Sequence, residues 1–507
     1  MKGNFLLSVI TLAATQPVHS LSPTRRLLFR FSAVLLGLSL FVVTEGVCII
    51  FDWGRPTDFD DPFVGFSKIY PLFVLNDRGD TYFISKSRLW FFYPEMFPSK
   101  KGTNTFRVFV LGGSTVAGEP YGNKTSFTTW LELGLRAAEP ERDWDVINCG
   151  GISYASYRLI PILQETLNYQ PDLFIITTGH NEFLEDRTYD HIKHTPAVVV
   201  AMEQTLGRFR TFTLLRIAVR KLMRQGGGKD DRRPILNAEV TARLDFRGGM
   251  DLYHRDVKWR DGVVAHFEHN LRRLVRIARN AGIPVLLVHE SSNLRDSPSF
   301  KSEHAARLSE DDLHRFDSLI KEARSLYRTD LRHAAELLEQ AVKIDGEYAL
   351  TWYELGKCYD GLHDVKRARS AFLMAREHDI CPLRVIQPLE EKLFRVARET
   401  GVPLVDMHTL LEAKSPGGIL GDDWLVDHIH PSIEGHQLVA DAILEEMARY
   451  GWVSLRDGWQ DRKQTAYDRH FTSLPMEYFI RGQQTLERHR RWARDSSEEL
   501  PGTTNSH

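Results

Sequence analysis

The sequence is poor in cysteine and has almost no excess of charge. Only 4 of its 507 residues are cysteine, and they form neither a CxxC pair nor a zinc-ligand spacing. A disulfide framework is therefore not indicated. Lys and Arg total 65 against 67 Asp and Glu, a formal net charge of -2. A general nucleic-acid-binding protein is usually basic, so we expect no nucleic-acid partner.

Long apolar runs are also missing, with one exception near the N-terminus. The stretch Phe31 to Phe51 contains a single charge, Glu45, and at 1.5 Å per residue it is long enough to cross a hydrocarbon core of about 30 Å. Basic residues precede it, and acidic residues follow it: Asp52, Asp58, Asp60 and Asp61. This asymmetry predicts a single-pass anchor at 27–51 with the N-terminus inside and everything after it extracytoplasmic. Residues 1–26 are then a cytoplasmic or signal-like N-terminus. The alternative is a buried core helix.

After the anchor, strand-like and helix-like segments alternate. Residues 52–104 are rich in aromatics and predict a juxtamembrane segment with short strands that packs on the main domain. Apolar runs then predict four strands and a short fifth one within 394–405, separated by helices: Phe106–Leu111, Trp144–Asn148, Leu173–Thr177 and Pro284–Val288. This alternation predicts an α/β fold with a parallel sheet and helices on both faces. Ligands bind beyond the carboxyl ends of such strands.

A different periodicity interrupts the α/β pattern. Trp352-x-x-Leu355-Gly356-x-x-Tyr359, followed by Ala368, Phe372 and Ala375, matches the tetratricopeptide (TPR) pattern. Thirty-four residues earlier, a degenerate copy retains Ala334, Leu338 and Ala341. The sequence thus predicts a TPR-like helical insertion at 313–380, which divides the α/β domain into 105–312 and 381–450. A surface for a protein partner and a purely structural insertion both remain open. Residues 451–507 form a polar C-terminal extension.

The candidate catalytic residues lie at predicted strand ends. Ser114 directly follows the first strand of the α/β region, and a serine is a weak nucleophile unless an imidazole takes its proton. Asp427 and His430 are three residues apart, a spacing that places both side chains on one side of a turn. His428 is a competing base, but its adjacency to Asp427 predicts that it points elsewhere. An oxyanion requires hydrogen-bond donors.

Candidate donors for the oxyanion are the backbone N–H of Ser114, that of Gly150 or Gly151, and the side-chain amide of Asn181. Each feature is common by itself. Together, and in order at the strand ends of one sheet, they are far less expected by chance.

The four blocks resemble those of the SGNH/GDSL hydrolases. They read GGST at 112–115, NCGG at 148–151, GHNE at 179–182 and DHIH at 427–430. The resemblance implies a flavodoxin-like three-layer α/β/α domain, with Ser114 as nucleophile, His430 as base and Asp427 as its partner. It also implies Gly150 and Asn181 as oxyanion donors. The whole arrangement is similar to that of bacterial membrane-anchored members with TPR repeats.

Two positions depart from the family's pattern. Gly113 and Glu182 stand where the family has aspartate, but neither belongs to the triad. The expected function is hydrolysis of an acyl ester, of a carbohydrate or a lipid, through an acyl-enzyme and without a metal or organic cofactor. The alternatives are acyl transfer to a sugar hydroxyl, with the same triad and with water excluded, and a catalytically silent TPR scaffold at the membrane.

Overall fold

The computed structural model describes residues 23–51, 53, 65–66, 70–184, 206, 209–215, 218, 235–236 and 249–496. Most of the predicted 1–26 segment and the last eleven residues of the C-terminal extension lie outside the described residues. The chain divides into two compact units. One comprises residues 1–57 with 201–230, and the other comprises residues 58–200 with 231–507.

The first unit contains helix α1, Pro23–Ile50. Within it, Leu27–Ile50 is long and apolar enough to cross a membrane by length and composition, and only 6% of its most apolar window is buried. This low burial disfavours the core-helix alternative. The carboxylate of Glu45 accepts the backbone N–H groups of Arg210 and Thr211 at 2.7 and 2.8 Å. The sequence had placed 201–230 in the α/β domain, but these contacts join residues 210 and 211 to α1.

Short strands precede the main sheet in the second unit. Strand β1 (Gly65–Phe66) pairs in parallel with the later strand Ile235–Leu236. Strands β2 (Phe73–Leu75), β3 (Thr81–Ile84) and β4 (Met96–Pro98) form an antiparallel sheet in the order β2-β3-β4. Phe73 and Phe97 are buried, and each makes an edge-to-face contact with the ring of Phe109 in the main domain. Aromatic packing therefore holds this small sheet on the domain.

In the part of the chain that the structure describes, the main sheet has five parallel strands in the order β10-β9-β7-β5-β6. With the short strand at 235–236 numbered β8, its strands are β5 (Thr105–Gly112), β6 (Asp143–Gly150), β7 (Leu173–Thr177), β9 (Val285–His289) and β10 (Leu404–Asp406). The predicted parallel α/β fold is confirmed. In chain order the arrangement reads 2-1-3-4-5, the flavodoxin-like order, whose ligand-binding crevice lies between β5 and β7.

Helices cover both faces of the sheet and continue beyond it. After α1 they are α2 (Ser114–Ala117), α3 (Phe127–Ala138), α4 (Ser156–Thr166), α5 (Val257–Asn280), α6 (Glu310–Leu326), α7 (Leu331–Ile344), α8 (Ala349–Gly361), α9 (Val365–His378), α10 (Gln387–Thr400), α11 (Met407–Glu412), α12 (Ile433–Arg449), α13 (Trp459–Ser473) and α14 (Met476–Ser496). Side chains alternate along β5: Phe109 and Leu111 join the core with α4, α5 and α10, whereas Val108 and Val110 join the core with α3, α12 and α13. This alternation produces three layers.

The insertion consists of the four helices α6 to α9, each packed against the next. Ala334, Leu338 and Ala341 are buried in its core. A Cβ atom at Gly356 would lie 2.6 Å from the ring of Phe372. Glycine is therefore required where α8 meets α9, because any side chain there would overlap the phenyl ring.

The polar C-terminal extension folds into α13 and α14. Helix α13 packs on α3, where Trp130 and Tyr467 make a ring contact with centroids 4.9 Å apart. Among the side chains of these helices whose burial is described, few are buried: Trp459, Tyr467 and Leu486. Their sequences are polar overall, so no strong apolar period marked them as helices of the domain.

Candidate active site

Ser114 begins α2 immediately after β5, at the switch point of the sheet. Two glycines allow this sharp turn. A Cβ atom at Gly112 would overlap the carbonyl oxygen of Thr177, and one at Gly113 would lie 2.7 Å from Asn181 Nδ2. The turn thus lies directly against the segment that follows β7. This close approach explains the GGS sequence and brings Ser114 and Asn181 to one place.

Ser114, His430 and Asp427 form a continuous hydrogen-bonded line. His430 Nε2 lies 2.7 Å from Ser114 Oγ, and His430 Nδ1 lies 2.6 Å from Asp427 Oδ2. The other carboxylate oxygen of Asp427 accepts the backbone N–H groups of Ile429 and His430 at 2.9 and 2.8 Å. Ser114, His430 and Asp427 are 7%, 5% and 9% exposed. One ring nitrogen of His430 therefore contacts the serine and the other contacts the aspartate, in a site largely shielded from water.

The electrostatics of the pair favour an ionised carboxylate and a basic imidazole. Burial by itself raises the pKa of Asp427, but the charge and hydrogen bond of His430 outweigh burial and hold that pKa below its ordinary value. Burial lowers the pKa of His430, yet Asp427, with smaller effects from Glu119 and Glu290, raises it above its ordinary value. Each partner thus stabilises the charged form of the other.

His428 does not reach the serine. Its Nδ1 lies 3.7 Å from Asp427 Oδ1, beyond hydrogen-bonding distance, and its ring packs edge-on against Phe300. Burial lowers the pKa of His428 to about 3, and the neighbouring His430 adds to this effect against the opposing charge of Asp427. The structure brings His430, not His428, to Ser114.

Two of the predicted oxyanion donors are already occupied. The Gly150 N–H donates to Asn148 Oδ1 at 2.9 Å, and the Gly151 N–H donates to Gly112 O at 3.0 Å. A Cβ atom at position 150 would overlap the backbone of Ala117. Glycine is needed there so that α2 can approach β6, and this packing accounts for it without a substrate. The assignment of Gly150 as an oxyanion donor therefore disagrees with the geometry.

Ser153 and Asn181 are two further candidates for donors to an oxyanion. Both line the same cavity as Ser114. Ser153 has φ +62 and sits in a turn closed by the Tyr154 N–H on Gly151 O at 3.1 Å. Glycine normally takes this conformation. Asn181 Nδ2 donates to Tyr154 O at 3.2 Å, which leaves the second amide hydrogen for another acceptor.

The cavity beside Ser114 has a volume of about 760 Å³, within the usual range for small-molecule sites. One wall comes from the segment before the main sheet and the other from α14. Four aromatic side chains contribute to these walls: Trp90, Phe92, Tyr93 and Trp492. Arg488 to Arg491 form a basic run on α14, within the polar C-terminal extension. His489, in the middle of that run, lies against the triad.

One cluster in the described part of the chain has ligand atoms close enough for a metal ion. It comprises Asp427, His430 and His489, with ligand atoms within 4.8 Å of one another. Both ring nitrogens of His430 are already hydrogen-bonded to Ser114 and Asp427. A metal ion would have to displace one of these bonds, so the cluster fits an acid–base site better than a metal site.

Neither a family model nor a curated protein matches this chain. Several solved structures resemble it. The lipase/acylhydrolase from Enterococcus faecalis is 12% identical, with 70% of this chain and 100% of that chain covered and a TM-score of 0.32. A variant of the acetyl xylan esterase Axe2 from Geobacillus stearothermophilus is 14% identical, with coverage of 69% and 97% and a TM-score of 0.30.

A protein described as lipolytic and of the G-D-S-L family, from Desulfitobacterium hafniense DCB-2, is 12% identical, with coverage of 67% and 98% and a TM-score of 0.28. At identities and TM-scores this low, these likenesses by themselves assign no activity to the chain. The residues around Ser114 carry the evidence for a function.

Proposed function

We propose that this chain is a serine esterase of SGNH/GDSL type that hydrolyses carboxylic esters through an acyl-enzyme. The observation that carries the proposal is the unbroken line from Ser114 Oγ through His430 to Asp427, with distances of 2.7 and 2.6 Å. An activated nucleophile needs a base within this distance and a third group that orients the base.

In the first half-reaction, Ser114 Oγ attacks the ester carbonyl carbon and His430 Nε2 takes the hydroxyl proton. The tetrahedral intermediate collapses when the same nitrogen returns the proton to the departing alcohol oxygen, which leaves an acyl ester on Ser114. In the second half-reaction, water attacks that ester, His430 takes a proton from the water, and the acid leaves as Ser114 regains its proton. Asp427 stabilises the imidazolium in both halves.

The oxyanion formed in each half-reaction needs donors that are free before the reaction starts. The Asn181 side-chain amide is one, since only one of its hydrogens is bonded to Tyr154 O. We propose the backbone N–H of Ser153 as another, in place of Gly150, and that of Ser114 as the third. Among the described residues, the Ser153 amide donates no backbone–backbone hydrogen bond.

The remaining parts of the chain suggest where the enzyme works. We propose that Leu27–Ile50 is a single-pass anchor with the N-terminus inside, which places the catalytic domain outside the cytoplasm. The basic residues before this helix support that orientation. We also propose that α6 to α9 are two TPR-like repeats, supported by the match of the buried small residues and of the Gly356–Phe372 contact to the TPR positions.

Labelling with a fluorophosphonate probe tests the proposed activity. We expect covalent labelling and hydrolysis of an aryl acetate by the wild-type chain, and loss of both in Ser114→Ala. Ser318→Ala, an exposed serine on α6, is the matched control and should label like the wild type. If the wild type and Ser114→Ala are equally unlabelled, the esterase proposal falls. Analysis of products with and without a sugar acceptor separates hydrolysis from acyl transfer.

A further inference from the structure

Helix α14 is attached to the loop that follows the nucleophile. Its Tyr478 hydroxyl lies 2.9 Å from Thr125 Oγ1 and 3.2 Å from Gly122 O. Gln483 Nε2 donates to the hydroxyl of Tyr121 at 2.7 Å. A Cβ atom at Gly482 would overlap the Tyr121 ring, so the helix backbone and this loop are in direct contact.

The same helix is attached to the loop that carries the other two triad residues. Arg490 Nε and Nη2 donate to Val426 O at 3.0 and 2.8 Å. Val426 immediately precedes Asp427, and its N–H donates to His430 O at 2.8 Å. Helix α14 therefore connects the serine side of the site to the aspartate–histidine side, although Ser114 and His430 are 316 positions apart in the chain.

His489 lies between these two attachments, against the catalytic imidazole. Its ring stacks on that of His430 with centroids 5.6 Å apart and an angle of 29°. Its Nδ1 lies 3.8 Å from Asp427 Oδ2, and its Nε2 lies 3.7 Å from Glu119 Oε2. Both distances exceed a hydrogen bond. The contact with the triad is therefore made by the face of the ring and not by its nitrogens.

We propose that α14 is a structural part of the active site and that His489 is a positioning residue, whose ring face holds His430 in line with Ser114 and keeps water from the His430–Asp427 pair. The inference rests on the esterase function proposed above. A hydrogen-bonded ion pair is stronger in a dry site than in water, and the imidazolium that forms during the reaction is stabilised by such a pair. His489 is suited to this position because burial, followed by the charge of His430, lowers its own pKa. It therefore adds no positive charge beside the imidazolium near neutral pH.

Because the ring face of His489 contacts His430 and its nitrogens do not, substitutions can test the face and the nitrogens separately. His489→Phe keeps an aromatic face against His430 but lacks both nitrogens. His489→Ala and His489→Gln lack the face, and the glutamine retains much of the side-chain length. The matched control is His470→Ala on α13, which removes another histidine of the same extension. The His470 ring makes an edge-to-face contact with Trp130, with centroids 5.2 Å apart.

The full-length protein is assayed for ester hydrolysis and for the rate of fluorophosphonate labelling, with thermal unfolding as the check on folding. We expect kcat and the labelling rate to fall about tenfold or more in His489→Ala and His489→Gln, because small displacements of a catalytic group cost up to about 100-fold. KM should change less than about threefold, and His489→Phe should recover most of the lost rate. His470→Ala should match the wild type in kcat and labelling rate.

Three results overturn the inference. One is a kcat in a folded His489→Ala or His489→Gln variant within about twofold of the wild type. The second is a folded His489→Phe variant as slow as these two, since the nitrogens would then matter. The third is an equal loss in His470→Ala. If His489→Ala does not fold, the inference is tested by comparing kcat and the labelling rate of His489→Phe with those of His489→Gln. A wild-type chain that neither hydrolyses esters nor labels at Ser114 defeats the proposed function itself, whereas an active wild type with insensitive His489 variants defeats only the inference.

Discussion

Two regions of the molecule meet at the same cavity and differ in how they are built. At the carboxyl ends of β5 and β7, Ser114 and Asn181 lie in glycine-bearing turns. The close packing of these turns leaves the backbone little conformational freedom. His489 lies on α14, a long polar helix that buries little apolar surface. Leu486 is its only buried hydrophobic residue among those described. Short-range constraints in the sequence therefore fix the position of Ser114 and Asn181, whereas long-range packing fixes the residues that surround them.

The largest expected effect comes from the same aspartate-to-asparagine change made once in the triad and once away from it. Asp427→Asn retains the shape of the side chain but removes the charge that orients and stabilises His430, and we expect kcat to fall about 10⁴-fold, as in other Ser-His-Asp sites. Asp441→Asn, the control, alters a contact of α12 with Lys463 and Tyr467 on α13. Its kcat should stay within about threefold of the wild type. Similar losses in both variants would contradict the role of the Asp427 charge in orienting and stabilising His430.

A second prediction concerns the insertion, which contributes no residue to the lining of the cavity. Gly356→Leu forces a side chain into the ring of Phe372, and we expect the free energy of unfolding to fall by about 1–3 kcal/mol. The value of kcat per folded molecule should not change. Urea denaturation and active-site titration measure the two quantities. Lys366→Leu, on the exposed face of α9, should be nearly neutral, and an equal effect there would show that the contact with Phe372 is not the cause.

A third prediction follows from the raised pKa of His430. The base must be neutral to accept the proton of Ser114, so kcat/KM should fall about tenfold per pH unit below the pKa of His430, and the midpoint should lie above the ordinary histidine value of about 6.5. The contribution of this group to folding stability has the opposite pH dependence to the activity. A raised pKa in the folded state stabilises the fold at low pH, and this contribution is lost as the pH rises through that pKa. A pH profile with its midpoint at or below the ordinary value would contradict the role of Asp427 as the charge that raises the pKa of His430.

Much of the α/β core was predictable because its signals are local. An apolar run followed by two glycines predicts a buried strand and a tight turn, and the three-residue spacing of Asp427 and His430 predicts a shared turn. The TPR-like offsets of Trp352 and Tyr359 likewise reflect packing between neighbouring helices. These patterns depend on residues close in the chain, which one sequence displays directly.

The rest depended on contacts between distant residues. Gly150 was expected to face a substrate, yet it faces Ala117 on α2, and the sequence displays no signal for this approach. Ser153 takes a backbone conformation normally taken by glycine, so its residue type concealed the turn. His489 sits in a run of arginines typical of a solvated helix face, and only the docking of α14 on Tyr121 and Val426 brings it to the triad.

Mapping the covalent adduct that a fluorophosphonate forms on the full-length protein tests the catalytic triad most directly. Peptide mass spectrometry should find a single modified residue, Ser114, and the modification should disappear in Ser114→Ala and slow strongly in Asp427→Asn. An adduct on another serine, or an unmodified Ser114 in a folded chain that hydrolyses esters, would contradict the assignment of Ser114, His430 and Asp427 as the catalytic triad.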